Sequence, residues 1–229
     1  KLLLYYTRSF IMKSKTQERK TNEMTLKLTV SAVMVALSTV LSFIKFSELP
    51  YGGSVTLFSF VPILFVGYAY GAKWGLGAGL VHGILQMIFG ISGATAGAGF
   101  KWYQVVLCAL LDYLVAFGVL GLSGVFKKSI KNPQASFAVG TLFACVLKYI
   151  SHFFSGYILF GGWAEWFFTE GGGMSYGSKI LSAYSGNVLS AVYSLIYNAT
   201  FSIPETVLSL VMVVILISVK PIRKAAGIK

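Results

Sequence analysis

SFAVGTLFACVLKYISHFFSGYILF (136–160) is apolar over a full membrane crossing, yet it carries Lys148 and His152 in its middle. About 20 predominantly apolar residues in a helix reach across the hydrocarbon core. An ionisable side chain inside that core is costly and turns toward a cavity or a partner. Four residues apart, Lys148 and His152 share one helical face. The stretch therefore predicts a membrane span with a polar site built into it.

Working outward, five further apolar runs lie between charges and glycine-rich breaks, giving spans at 27–46, 54–70, 74–92, 103–126, 136–160 and 187–219. The expected fold is an all-α membrane protein of six transmembrane helices. Residues 1–23 read as a polar cytoplasmic tail, partly upstream of a natural start at Met12 or Met24, and 24–229 as one six-helix domain. Pro62 makes the second span short and irregular. Pro204 is expected to kink the last one, which is too long for a straight crossing. Composition agrees: of 229 residues 56% are hydrophobic and 11% charged, whereas soluble domains carry about 25% charged residues. Mean hydropathy is +0.75. An ordinary soluble enzyme is excluded, and the net charge of +12 speaks of membrane orientation, not of nucleic acid. Fifteen Lys/Arg residues fall on the side of the termini and three (Lys45, Lys101, Lys179) on the other. The positive-inside rule then places both termini in the cytoplasm. Cys108 and Cys145 lie in apolar runs without a metal-binding spacing, so no metal site and no cofactor are expected.

At about 1.5 Å per helical residue, counted from the nearest cytoplasmic lysine, Asp112 and Glu205 lie about 22 Å deep. Lys148 lies about 25 Å deep and His152 about 31 Å. Groups from three spans thus meet at one level in the outer half of the membrane. Tyr113 adjoins Asp112 but points elsewhere around the helix, while Tyr193 and Asn198 flank the same level. A negative charge, donors, acceptors and aromatic walls suit a small, planar, cationic molecule arriving from outside. Simpler roles remain open. Asp112 and Lys148 can form an interhelical ion pair, Glu205 can satisfy backbone donors freed by Pro204, and His82 with Gln86 reads as an interhelical hydrogen-bond pair. GISGATAGAG (90–99) reads as a flexible outer loop, and the glycine- and aromatic-rich 161–186 as a long mobile one. No phosphate-binding G-x-x-x-x-G-K-[ST] occurs in these residues, so the chain does not hydrolyse ATP itself.

LLDYLVAFGVLGLSG (110–124), VLKYISHFFSG (146–156) and VYSLIYNATFSIP (192–204) resemble the thiamin-specific substrate-binding subunits of energy-coupling factor transporters. The resemblance runs from about 26 to 219, with PYGGSVTLFSFVPI (50–63) similar to the first outer loop and second span of some members. It implies a non-enzymatic six-helix cell-membrane protein that binds thiamin and docks on a transmembrane coupling subunit with two ATP-binding subunits. By motif, Asp112, Tyr113, Lys148, His152, Tyr193 and Asn198 are the expected ligand contacts. Ala32 and Ala36 on span one match the docking motif. The chain departs from the pattern where Gly53 and Leu57 align with a Trp and a Glu of the first outer loop, and where Gly161 aligns with a Trp. Trp163 is the expected substitute wall, with Trp166 or Tyr176 as lid.

In this reading Asp112 balances the thiazolium, aromatic rings add cation–π attraction, and Asn198 pairs with the pyrimidine edge. Lys148 is neutralised by Asp112 or Glu205 while His152 stays neutral. Two alternatives stand: the same kind of subunit for another small vitamin or precursor, and an intramembrane serine protease using Ser123. Ser123, about 6 Å from the inner boundary, is too far from His152 for nucleophile and base to meet.

Overall fold

The computed structural model describes residues 2–49, 53–171 and 175–228, with side chains from Arg19 onward. Lys1, Arg8, Lys13, Lys15 and Lys229, five of the charges behind the orientation argument, therefore lie outside the described side chains, as do Gly172, Gly173 and Met174 of the long loop. Helix α1 (Leu2–Ser42) is continuous through the expected tail. It is followed by an antiparallel hairpin, β1 (Lys45–Glu48) and β2 (Ser54–Thr56), with Glu48 opposite Ser54 and an irregularity between Lys45 and Ser47. Then come α2 (Val61–Tyr70), α3 (Ala72–Thr95), α4 (Trp102–Lys128), α5 (Pro133–Leu159), α6 (Gly177–Ala183), α7 (Gly186–Ser218) and α8 (Lys220–Ala225).

Among the described residues five helical stretches are long and apolar enough to cross a membrane: Arg19–Ser42 of α1, α3, α4, α5 and α7. Between 17% and 39% of each span's window is buried inside the protein, so most of its apolar surface is left for lipid. The expected spans are corrected at their edges. The first ends at Ser42, because 45–48 pairs as a strand. The second begins only at Val61, because 54–56 is the other strand, and α2 is a 10-residue apolar helix. Pro62 sits in its first turn, where a missing N–H costs nothing. Gly71 ends it at φ +90°, a conformation that favours glycine. The 90–95 segment is helical, as the end of α3, not a loop. Pro204 lies inside an unbroken α7. Within the long 161–186 stretch, the described residues form short helical turns at 161–171 and α6, and Phe167 and Phe168 are buried. Apolar aromatic anchors override the glycine content there.

α5 starts where the Asn132 side chain accepts from Ala135 N (2.9 Å), with Pro133 next. It packs along both α4 and α7. Close approach elsewhere uses glycine: a Cβ on Gly121 of α4 would collide with the Gly75 backbone of α3, and one on Gly140 of α5 with the Ser123 carbonyl. Two clusters result. One joins Val35, Ile63, Leu64, Phe137, Val213 and Ile217 near the Lys127 end. The other, near the hairpin, is largely aromatic, with Phe160, Phe167, Phe168, Tyr193, Tyr197 and Phe201.

Candidate functional site

A cavity of about 490 Å³ opens between these clusters, within the range of about 300–1,000 Å³ usual for small-molecule sites. The hairpin, α1, α3, α4, α5 and α7 all contribute walls. Of the residues singled out from sequence, Asp112, Tyr113, Lys148, His152, Tyr193 and Asn198 line it; Trp163 does not. Trp163 is half-buried behind the wall, edge-on to Trp166 at 6.3 Å, within the aromatic cluster.

Residues 109–115 of α4 take π-helical turns. Such turns widen a helix, often at functional positions. Here both Asp112 and Tyr113, which an α-helix would aim apart, reach the same cavity. Asp112 Oδ1 accepts from His152 Nδ1 (2.8 Å), and Oδ2 accepts from Ser155 Oγ and Cys108 Sγ (3.4 Å). Lys148 Nζ is 2.9 Å from His152 Nε2. An ammonium only donates, so with Lys148 charged Nε2 is the acceptor and the imidazole proton sits on Nδ1, facing Asp112. Lys148, His152 and Ser155 are three or four residues apart on α5 and read as one face.

The expected direct ion pair is thus corrected. Among the described residues Lys148 forms none with Asp112 or Glu205; His152 stands between lysine and aspartate. The lysine is nevertheless 4% exposed. Its Nζ lies 4.6, 5.4 and 5.6 Å from the ring centres of Phe60, Phe117 and Phe201, a cation–π enclosure. Glu205 is also corrected. It does not serve the backbone around Pro204 but accepts from Thr56 N (3.0 Å) and Thr56 Oγ1 (2.6 Å), tying α7 to the hairpin. Thr56 Oγ1 continues to Ser59 Oγ at 2.6 Å.

Asn198 Nδ2 donates to Ser194 O (2.9 Å) and His152 O (3.3 Å). Its remaining offer to a ligand is the acceptor oxygen. Tyr193, Tyr197 and Phe201 form a ladder with ring centres 5.6 and 5.9 Å apart, and the Tyr197 hydroxyl accepts from Gly53 N at 3.2 Å. Tyr197 and Phe201 escaped the sequence reading, although 193, 197, 201 and 205 are spaced four apart and so share a face with Glu205, which the depth count had already singled out. Phe60, Phe117 and Thr56 had no such signal, since only the fold brings them to Lys148 and Glu205.

His82 pairs across helices as expected: its ring nitrogens lie 3.3 Å from Ser38 Oγ and 3.2 Å from Thr39 Oγ1, and Gln86 Nε2 donates to Ser42 Oγ (2.8 Å). Ser123 is buried with its hydroxyl donating to Leu64 O (2.6 Å), and among the described residues no histidine hydrogen-bonds to it, so it lacks the base that the protease alternative requires.

The family model described as "Thiamine transporter protein (Thia_YuaJ)" matches residues 28–171, more than half of the chain. The chain belongs to the thiamine transporter protein family. It is 29% identical over 201 residues to "Thiamine transporter ThiT" of Bacillus subtilis (strain 168), covering 83% of this chain and 89% of that one. It is 28% identical over 206 residues to "Thiamine transporter ThiT" of Lacticaseibacillus paracasei, covering 83% and 86%. A solved ThiT structure from Listeria monocytogenes shares the fold with a TM-score of 0.66 at 19% identity, over 89% of this chain and 98% of that chain. This member of the thiamine transporter family is therefore a multi-pass membrane protein and a transporter component, not an enzyme. Asp112, Lys148 and His152 lie inside the family-matched stretch; Tyr193, Asn198 and Glu205 lie beyond it.

Proposed function

We propose that this chain is the membrane substrate-binding subunit through which thiamin enters the cell, energised by partner ATPases. The observation that carries the substrate is the charge of the cavity wall. Glu48, Asp112 and Glu205 face it against Lys45 and Lys148, and Lys45 pairs with Glu48 at 2.6 Å. With His152 neutral, one negative charge is left over, matched to the fixed positive charge of a thiazolium. The Tyr193–Tyr197–Phe201 ladder and Tyr113 supply flat apolar walls. Asn198 Oδ1 accepts from the exocyclic amine of the aminopyrimidine, and the Asp112–His152–Lys148 chain holds the carboxylate in one geometry. Trp163 belongs to the support of the wall, not to the ligand contacts.

In this reading α2 completes a six-span topology with both termini cytoplasmic, following the lysine and arginine asymmetry. Ala32 and Ala36 lie one turn apart on α1 and are both exposed, leaving a shallow strip where a helix of a transmembrane coupling subunit can approach. Two ATP-binding subunits beneath that subunit provide the energy.

The test is titration of the detergent-purified protein with thiamin, followed by quenching of its four tryptophans, with riboflavin and biotin as controls. Saturable quenching by thiamin alone is the expected result. A folded protein that ignores thiamin and answers another vitamin moves the substrate, not the architecture. Ala36→Leu should leave binding intact and abolish uptake by the assembled transporter; unchanged uptake would remove the docking assignment.

A further inference from the structure

The two buried carboxylates of the cavity are not equivalent. Both oxygens of Asp112 are engaged, by His152, Ser155 and Cys108. Glu205 is 4% exposed and lines the cavity, yet Thr56 N and Thr56 Oγ1 both converge on Oε1. Among the described residues Oε2 takes no hydrogen bond and Glu205 forms no ion pair. Oε2 is not among the fully buried polar atoms that lack a partner, so on this cavity-lining residue it keeps accessible surface, while the neighbouring lysine is turned to His152 and three phenyl rings.

We propose that Glu205 is a ligand-contacting, specificity-determining residue, whose free oxygen faces the delocalised cation of the bound molecule while its other oxygen holds the hairpin through Thr56. This deepens the thiamin reading and rests on it. A thiazolium has no N–H to donate, so the match is by charge and close contact and not by a hydrogen bond. Asp112, with both oxygens engaged by protein donors, contributes its field from a fixed place; Glu205 responds to whether the ligand is charged.

Glu205→Gln is the discriminating variant, because its amide oxygen can still accept from Thr56 while the charge is gone. Its affinity is compared with wild type for two probes of one shape: thiamin, and the uncharged analogue in which thiophene replaces thiazolium. Thr56→Val serves alongside as the variant that weakens only the hairpin tie. Thiamin affinity is expected to fall about tenfold or more in Glu205→Gln, with the neutral analogue nearly unaffected. Thr56→Val should shift both ligands by the same factor. Equal losses for both ligands in Glu205→Gln, or no loss for thiamin, overturn the proposal while leaving thiamin binding intact. A wild-type protein that binds no thiamin removes the functional reading and this inference together.

Discussion

The Lys127 end of the bundle and the hairpin end are built from the same helices by opposite means. Near Lys127, Tyr68 stacks on Phe137 at 4.2 Å, and glycines let α3, α4 and α5 touch backbone to backbone. The lysine itself is satisfied by three carbonyls, Tyr68 O (3.0 Å), Ala69 O (3.3 Å) and Ala226 O (2.7 Å), which also anchor the chain beyond α8. Near the hairpin, aromatic side chains hold the helices apart, and Lys148 rests on ring faces and one imidazole nitrogen. The first lysine closes a joint; the second is held ready on a cavity wall. The difference teaches that a charge turned inward marks a site when its partners leave room beside it, and a seam when they do not.

Four substitutions probe that contrast. Gly121→Val should have the largest effect, since its Cβ would meet the Gly75 backbone. Overpacking of about 3 kcal/mol or more should leave little monodisperse protein on detergent size-exclusion chromatography. Normal yield would break the idea that glycine contact closes that end. At the open end, Asp112→Asn should fold but lose about 2–3 kcal/mol of thiamin binding, roughly a hundredfold, read by calorimetry. An unchanged affinity would make Asp112 a structural partner of His152 and no more.

Tyr197→Phe removes the acceptor of Gly53 N while keeping the ring in its ladder. A cost of about 1 kcal/mol should appear as several-fold faster thiamin release in stopped-flow traces, with the melting temperature little moved. Trp163→Phe is the smallest expected change. Because Trp163 stands off the cavity, affinity should stay within about twofold, as befits a position away from the site. A large loss would put the indole back among the ligand contacts.

Much of the site was legible because helices are periodic. Lys148 and His152 announce a shared face, and the depth count brought Asp112 and Glu205 to one level from spans far apart in sequence. The same periodicity contained the 193–197–201–205 face, overlooked because tyrosine and phenylalanine in an apolar run look like ordinary lipid-facing residues. What local spacing misled about was the turn at 109–115: π-helical winding brings Asp112 and Tyr113 to one cavity, and an assumption of regular α-helix sends them apart. The 54–60 stretch misled in another way. Its apolar content reads as membrane helix, yet β1 offers unpaired backbone groups that β2 satisfies, so the hairpin wins and α2 is left short.

The sequence by itself determined that this is a membrane protein, where most of its apolar runs lie, and which polar groups share a depth. These follow from hydropathy, charge asymmetry and a fixed rise per residue, all local properties. Only the tertiary structure decided who partners whom: Lys148 with His152 and three phenylalanines instead of a carboxylate, Glu205 with Thr56 of the hairpin, Trp163 behind the wall instead of on it. Those choices depend on helix winding and on how closely glycines let neighbouring backbones approach. Contacts between residues 40 to 150 positions apart are a property of the packed bundle, not of any one segment's spacing.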